Sequence, residues 1–281
     1  MIEKIVFITG CSTGIGFDAA FALKKRGHRV IASCRKNDDV KKLLDLGMET
    51  VLLDVSDSDS TQKGFAELLV LTEGRLDVLI NNAGYGQAGA LEDITRTVLR
   101  KQFETNVFGL LELCNLAIPV MRKQGSGRII NVSSILGLVS LPFSGAYNAS
   151  KYAVEGLGDT LRLELHSSGI KVITIEPGPI ESRFRDNCLD VSLNDIDTSH
   201  SYFSKQYTRT ISTYKQSTSD SPFTLKPDAV IKKFIHAIET KRPKAKYPVT
   251  VPAHLMIFLR RILCIKWLDK ILRSVSKDKL A

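Results

Sequence analysis

The spacing of apolar residues changes in a regular way along the first 180 residues. Short aliphatic runs predict strands, and apolar residues three or four positions apart predict helices. Strands are predicted at Lys4–Thr9, Arg29–Cys34, Thr50–Asp54, Asp77–Asn81, Arg128–Ser133 and Ile170–Glu176, with helices between them at Gly14–Arg26, Asp38–Leu46, Asp59–Leu71, Asn106–Gln124 and Tyr147–Ser168. Strands that alternate with helices favour an α/β fold, a single doubly wound parallel sheet with helices on both faces.

Residues 179–225 interrupt this alternation. The segment is polar and rich in Ser and Thr, and its aromatic residues are Phe184, Tyr202, Phe203, Tyr207, Tyr214 and Phe223. Long insertions in compact domains are commonly functional, so we expect a substrate lid here. The aromatic side chains would either contact an apolar ligand or form a small core of the lid itself. A helix from Lys226 to about Lys241 and a strand at Lys246–Val251 are predicted to follow.

The composition is ordinary for a globular protein, with 43% apolar and 25% charged residues and no repeat. Neither the five cysteines nor the five histidines show the spacing of metal ligands, so we expect reduced thiols and no metal site. The first strand begins so near the N-terminus that a signal peptide has no room. These features predict a cytoplasmic protein.

The net charge of +9 is concentrated at the C-terminal end. Residues 226–281 contain 14 Lys and Arg but only 4 Asp and Glu, so the preceding 225 residues are almost neutral. An enzyme of nucleic acids would more often spread basic residues across its cleft, so we expect no nucleic-acid partner.

The basic end of the chain is strongly apolar as well, which suggests a separate extension. We place the catalytic domain at 1–252 and the extension at 253–281. From Cys264 onwards, Lys266, Asp269, Lys270, Arg273 and Lys277 share one helical face, and Ile265, Leu268, Ile271, Leu272 and Val275 share the other. The segment is too charged to span a membrane. It would pack on protein, the interpretation we favour, or lie on an anionic membrane surface.

A glycine-rich turn at 9–16 joins the first predicted strand to the first helix. Gly10, Gly14 and Gly16 would let the backbone approach a phosphate at the start of that helix. This is the position of the pyrophosphate of a dinucleotide in Rossmann-type folds. A plain turn without a ligand is the alternative.

Tyr147 and Lys151 would present a phenol and an ammonium to one pocket, because positions i and i+4 share a helical face. A nearby cation favours the tyrosinate, so we expect a lowered pKa for Tyr147. Such a phenol can exchange a proton with a substrate oxygen, and the Ser134 hydroxyl can hold that same oxygen.

These motifs occur together with several others in one order. The glycine turn, Asn81–Gly84, Asn106, Asn131–Ser134, the Tyr147/Lys151 pair and Pro177–Gly178 resemble the short-chain dehydrogenase/reductase family over residues 4–182. The segment Lys246–Thr250 and the apolar, basic tail more narrowly resemble bacterial NADP-dependent aldehyde reductases. Those proteins in turn resemble retinol and hydroxysteroid dehydrogenases.

The resemblance implies a role for each catalytic residue. Tyr147 would be the acid/base, and Ser134 would orient the carbonyl, so these two residues would also contact the substrate. Lys151 would lower the pKa of the tyrosine and bind the nicotinamide ribose. Asn106 would hold a water molecule that continues the proton path.

The end of the second strand predicts the cofactor. An acidic residue there would bind a ribose 2′-hydroxyl, but this chain has Arg35 and Lys36, which suit the 2′-phosphate of NADP. With the positions that the resemblance implies, the predicted cofactor-binding residues are Gly10, Ser12, Thr13, Gly14, Ile15, Gly16, Arg35, Lys36, Asp54, Val55, Asn82, Ala83, Gly84, Val132, Tyr147, Lys151, Pro177, Gly178 and Ile180.

The sequence therefore predicts an NADPH-dependent reductase of aldehydes or ketones, acting on an apolar small molecule. Two alternatives stay open. The first is a dehydrogenase that oxidises retinol-like or steroid-like alcohols, and the second is a nucleotide-binding regulator without catalysis. Family members are often dimers or tetramers, which makes a homo-oligomer a further expectation.

Overall fold

A computed structural model describes residues 2–209 and 223–276 of the chain. Its centre is a sheet of seven parallel strands, which lie in the order β3-β2-β1-β4-β5-β6-β7. The strands are β1 (Ile5–Ile8), β2 (Arg29–Cys34), β3 (Glu49–Leu52), β4 (Val78–Asn81), β5 (Gly127–Val132), β6 (Ile170–Glu176) and β7 (Lys246–Pro248). The predicted α/β fold with one doubly wound sheet is confirmed.

Helices lie on both faces of this sheet. In the first half of the chain they are α1 (Gly14–Lys25), α2 (Asn37–Asp45), α3 (Ser58–Leu71), α4 (Arg96–Phe103), α5 (Gly109–Gln124) and α6 (Gly145–Glu164). The second half adds α7 (Phe184–Asp195), α8 (Asp228–Glu239), α9 (Val251–Ile262) and α10 (Ile265–Val275).

Alternate residues of each strand enter opposite hydrophobic cores, which explains the continuous apolar runs. In β1, Val6 and Ile8 face the core beneath α1 and α8, whereas Phe7 faces the core beneath α3 and α5. All three side chains are fully buried. A strand buried on both faces is typical of parallel sheets.

The segment before α5 differs from the prediction. A single helix was predicted from Asn106, but α4 precedes it and a π-helical turn, Glu104–Phe108, joins α4 to α5. The Thr95 hydroxyl caps α4 by accepting from the Val98 N–H. The polar sequence of α4 hides its helical period, since Val98 and Gln102 are its only buried side chains.

The last strand is also shorter than predicted, since it ends at Pro248 rather than Val251. Thr250 is the reason: its hydroxyl accepts from the Ala253 N–H and starts α9, and Pro252 suits a first helical turn.

The predicted lid contains regular structure in the part that the structure describes. Helix α7 opens it, residues 204–209 are helical, and 210–222, with the predicted Tyr214, lie outside the described residues. Phe203 and Tyr207 pack edge-on against Phe143, which shows that these aromatic residues form a small core of the lid. Phe184 instead lies against Tyr147, with the ring centroids 5.5 Å apart.

The extension forms two helices, α9 and α10, and α10 covers the amphipathic stretch predicted from Cys264 onwards. On α10, Leu272 is buried and Leu268 and Ile271 are partly buried, as the amphipathic pattern predicted, but Ile265 and Val275 are exposed. Lys277 lies outside the described residues. No helix in the described ranges has the length and apolar character needed to cross a bilayer.

Candidate active site

The carboxyl ends of the parallel strands bring the predicted site residues to one edge of the sheet. From β3 to β6, the groups along this edge are Asp54, Arg35, the glycine turn, Asn82–Gly84, Ser134 and Pro177. Strand order reverses between β1 and β4, and such a switch point creates the crevice in which nucleotides bind in open α/β sheets.

The glycine turn has the backbone shape that close packing requires. Gly10 and Gly14 have positive φ angles of 71° and 64°, which side chains with a Cβ rarely adopt. A Cβ on Gly10 would lie 2.8 Å from the Cα of Ala83, and one on Gly16 would lie 2.5 Å from the Asn82 Nδ2. The turn therefore presents bare backbone at the start of α1, as an anionic ligand would need.

Asn82 and Ala83 fasten the glycine turn to β4. The Asn82 side chain donates to the Thr9 carbonyl at 2.9 Å and to the Gly10 carbonyl at 3.2 Å. The Ala83 N–H donates to the Thr9 hydroxyl at 2.9 Å. These bonds hold two neighbouring strand ends at a fixed separation.

Asn106 lies at the centre of a buried hydrogen-bond network. Its side chain accepts from the Tyr85 N–H at 3.1 Å and donates to the Tyr85 carbonyl at 2.9 Å and the Ser150 hydroxyl at 3.0 Å. Ser150 in turn donates to the Tyr147 carbonyl at 2.8 Å. The π-helical turn thus places Asn106 directly against the helix of Tyr147 and Lys151. Ser150 was not predicted, although it precedes Lys151 in the motif.

Ser134 and Tyr147 are neighbours, as predicted. Ser134 follows β5 and is buried, and its hydroxyl accepts from the Leu136 N–H at 3.1 Å. The lowered pKa predicted for Tyr147 is wrong for this structure, because burial raises the pKa and outweighs the lowering by the hydrogen bond with Ser134. The Lys151 Nζ lies 5.7 Å from the centre of the tyrosine ring.

Lys151 is a buried cation that faces the same pocket. Its ammonium donates to the Val132 carbonyl at 2.8 Å. Burial lowers the pKa of Lys151 to about 8, and the Glu155 carboxylate opposes that shift. A Cβ on Gly84 would lie 3.7 Å from the Lys151 Nζ and 3.1 Å from the Asn106 Oδ1, so this glycine leaves room for both side chains.

A pair of buried carboxyl groups lies behind Lys151. Glu155 follows one turn later on α6, and Glu176 ends β6. One oxygen of each, Oε1, has no hydrogen-bond partner among the described residues. Lys246 approaches Glu155 at 2.8 Å, while burial and the charge of Glu155 raise the pKa of Glu176 to about 7.

The residues predicted to read the adenine end have different environments. Arg35 and Lys36 are exposed at the end of β2, and Arg35 has no ion-pair partner within the described residues. Burial and the charge of Asp195 raise the pKa of the Tyr85 phenol to about 12, and the charge of Arg35 opposes that rise. The Asp54 Oδ1 accepts from the N–H and the hydroxyl of Ser56.

The remaining predicted cofactor residues lie around the same edge. Val55 is buried under α5, and Gly178 packs tightly on Thr250. The Ile135 N–H donates to the Pro177 carbonyl at 2.8 Å, which places this turn beside Ser134. Ile180 pairs with Leu225 in a short parallel bridge at the two ends of the lid.

Helix α7, in the predicted lid, lies against the pocket beside Tyr147; the prediction placed a lid at 179–225 but no helix in it. A Cβ on Gly86 would lie 2.9 Å from the Cys188 sulfur and 3.2 Å from the Phe184 ring. The Ala88 N–H donates to the Ser192 hydroxyl at 2.9 Å. Phe184, Cys188 and Ser192 recur every four residues, the one signal in the sequence of a helix facing the site.

The described ranges contain no cluster of three or more His, Cys, Asp or Glu side chains suited to a metal ion. Among the groups that face the pocket are the hydroxyls of Ser134 and Tyr147 and the ammonium of Lys151.

Known proteins are similar to this chain in sequence and fold. The short chain dehydrogenase family matches residues 4–190. The uncharacterized oxidoreductase YbbO of Escherichia coli K12 is 40% identical, with 98% of this chain and 96% of that protein covered. The 3-ketodihydrosphingosine reductase of Bacteroides thetaiotaomicron is 41% identical over 66% of this chain and 68% of its own length.

The structure of ElxO with NADP bound is also similar. Its TM-score is 0.71 and its sequence identity 26%, over 88% of this chain and 97% of that one. Family match, relatives and fold agree with the geometry of the carboxyl edge, and this chain belongs to the short chain dehydrogenase family of oxidoreductases.

Proposed function

We propose that this oxidoreductase uses NADPH to reduce an aldehyde or ketone group on an apolar small molecule. The observation that carries the proposal is the convergence of Ser134, Tyr147 and Lys151 at the sheet edge that also carries the glycine turn. NADPH, when bound, supplies the hydride that the protein side chains cannot provide.

Tyr147 acts as the acid that protonates the carbonyl oxygen. Burial raises the pKa of its phenol, so the tyrosine carries its proton at neutral pH, as an acid in a reduction requires. Ser134 contributes a second hydroxyl beside the first, where it holds and polarises the same oxygen.

Lys151 and Asn106 support that proton transfer. The Lys151 ammonium is held behind the tyrosine by the Val132 carbonyl, and it stabilises the negative charge left on the phenolate. Asn106, fixed by Tyr85 and Ser150, is proposed to hold the water that passes a new proton inwards.

The cofactor would lie along the sheet edge from Arg35 to Pro177. The glycine turn, with Ser12, Thr13 and Ile15, would accept the pyrophosphate on bare backbone. The Arg35 guanidinium, which has no ion-pair partner among the described residues, would accept the 2′-phosphate together with Lys36. Asp54 and Val55 would border the adenine. The NADP bound to ElxO, a protein of the same fold, supports this choice.

The substrate side of the pocket supports an apolar ligand. Phe184 and Cys188 of α7 lie against Tyr147 at the pocket. The relative named as 3-ketodihydrosphingosine reductase is a reductase of a ketone, by its name, and supports a carbonyl substrate here too.

Consumption of NADPH tests this function directly. The full chain is mixed with NADPH or NADH and a panel of aliphatic and aromatic aldehydes and ketones, and absorbance of the reduced cofactor is followed. We expect turnover with NADPH that exceeds turnover with NADH. Faster oxidation of retinol-like or steroid-like alcohols with NADP would favour the dehydrogenase, and cofactor binding without any turnover would favour the regulator.

A further inference from the structure

Helix α9 turns an apolar stripe towards solvent. Its four members recur at helical spacing and are 69%, 49%, 56% and 59% exposed: Val251, Leu255, Phe258 and Ile262. A helix on a protein surface normally directs its apolar face towards the core. Contiguous exposed apolar surface of this kind marks a site of contact with another molecule.

The opposite face of α9 is fixed to the catalytic domain, so the stripe cannot simply turn inwards. Ala253 is buried, and the Arg260 guanidinium donates to the Leu138 carbonyl. The same guanidinium lies 5.1 Å from the centre of the Tyr152 ring on α6. These contacts hold the stripe in an outward orientation.

Helix α10 follows the stripe directly along the chain and carries positive charge. From 251 to 276 the chain has five Lys and Arg residues and a single acidic one, Asp269. Lys266, Lys270 and Arg273 are exposed and form no ion pair with the described residues. Ile265 and Trp267 add exposed apolar surface, and the Lys270 Nζ lies 5.2 Å from the centre of the Trp267 ring.

We propose that α9 and α10 form a docking surface for an anionic lipid bilayer. The stripe enters the interface between headgroups and acyl chains, and the cations bind the anionic headgroups. A second copy of the chain is a poorer occupant, because it would bring the same cluster of cations against this one. Packing of the extension on its own protein accounts for Leu272 but not for the stripe.

The surface lies close to the active site. Arg260 ties α9 to Leu138, which is four residues beyond Ser134 and at the end of the turn that follows it. Docking would hold the catalytic pocket near the membrane, where an apolar carbonyl compound is concentrated. This extension of the inference rests on the proposed function, whereas the docking itself does not.

Co-sedimentation of the full-length protein with vesicles tests the docking. The vesicles are phosphatidylcholine with or without phosphatidylglycerol, at low and physiological salt. We expect binding to the anionic vesicles only, weakened by salt. Each of the changes Lys266→Gln and Lys270→Gln is expected to reduce binding about fivefold, since a cation near such a surface contributes about that factor.

The stripe is tested with the double variant Leu255→Ser and Phe258→Ser. Its binding to anionic vesicles is expected to fall at least about tenfold, because two exposed apolar side chains that would enter the bilayer are replaced by polar ones. Val70→Ser is the matched control, since Val70 is an exposed apolar residue on α3, and it should bind like the unchanged protein. Thermal melting confirms that all variants are folded.

Each outcome decides the inference. Equal binding to neutral and anionic vesicles, or unchanged binding of the double variant, would overturn it. Light scattering without vesicles tests the second copy: a dimer that the double variant converts to a monomer would also overturn it. Turnover of a soluble aldehyde should be equal in the double variant and the unchanged protein, so failure of the proposed function would appear there and leave the sedimentation result intact.

Discussion

The two ends of the carboxyl edge of the sheet are built in different ways. At the cofactor end, backbone meets backbone, and Gly10 packs so closely on Ala83 that a Cβ would collide with it. At the substrate end, side chains on a separate helix reach across the pocket, as Phe184 and Cys188 do from α7. The cofactor end thus depends on glycines, which have no side chain, whereas the substrate end depends on the side chains of α7.

The two ligands that we propose account for this difference. A pyrophosphate is recognised by several N–H groups at once, so the backbone must come close and few residue types fit. An apolar substrate needs only a bulky, mostly apolar wall, which many residues can supply. The cofactor end therefore has strict requirements on residue type, whereas the substrate end has few.

The largest effect is expected at Tyr147, which lies where the cofactor end meets the substrate end. Tyr147→Phe removes only the hydroxyl, so turnover should fall about a thousandfold while NADPH still binds. Tyr152→Phe, on the same helix beneath Arg260, is the matched control and should keep its activity. Steady-state rates and a fluorescence titration of NADPH measure the two quantities. Near-normal turnover of Tyr147→Phe with any good substrate would remove Tyr147 from the acid/base role.

The next effect belongs to the cofactor end. Arg35→Asp replaces a charge-assisted contact by a repulsion, so affinity for NADPH should fall about a hundredfold and affinity for NADH little. Lys25→Asp reverses a charge at the opposite edge of the sheet and should alter neither affinity. Titration of both cofactors gives the ratio. Equal losses for NADPH and NADH would show that Arg35 does not read the phosphate.

The contrast also explains what the sequence predicts well. The strands and the glycine turn follow from apolar runs and glycine spacing, and the predicted groups at the strand ends reach one sheet edge because parallel strands end together. Local spacing similarly places Tyr147 and Lys151 on one helical face. Positions that accept few residue types produce a sequence pattern from which the structure can be predicted.

The features that the prediction missed depend on tertiary contacts. Helix α4 is too polar to show its period, and the π-helical turn that aims Asn106 is fixed by Tyr85 and Ser150. The pKa of Tyr147 was predicted from its cation alone, but burial, which depends on the whole pocket, has the larger effect. Neither the tertiary contacts of Asn106 nor the burial of Tyr147 can be predicted from the spacing of residues along the chain.

A third prediction tests the apolar wall of the substrate end. Phe184→Ala should raise KM for apolar carbonyl compounds about tenfold and leave NADPH affinity unchanged, since the ring contacts Tyr147 and not the glycine turn. Tyr202→Ala truncates a lid residue that is 86% exposed and should change neither quantity. An effect of Phe184→Ala on NADPH affinity as large as that on KM would show that α7 serves both ends of the edge.

The smallest expected effect concerns thermal stability. It is expected at Glu176, which ends β6 and lies between the two regions. The folded state raises the pKa of Glu176 from 4.5 to about 7, through burial first and then the charge of Glu155, against the attraction of Lys246 and Arg261. The folded protein thus binds the Glu176 proton more tightly than the unfolded chain does. The protonated carboxyl group therefore contributes its full stabilisation of the folded state below pH 4.5, and this contribution is lost as pH rises through 7. Glu176→Gln should melt about 3 °C above the unchanged protein at pH 8 and show no such gain at pH 5. Glu164→Gln, an exposed change at the end of α6, should follow the unchanged protein at both pH values. A gain for Glu176→Gln of the same size at both pH values would show that packing, rather than the charge of this carboxyl group, sets the difference.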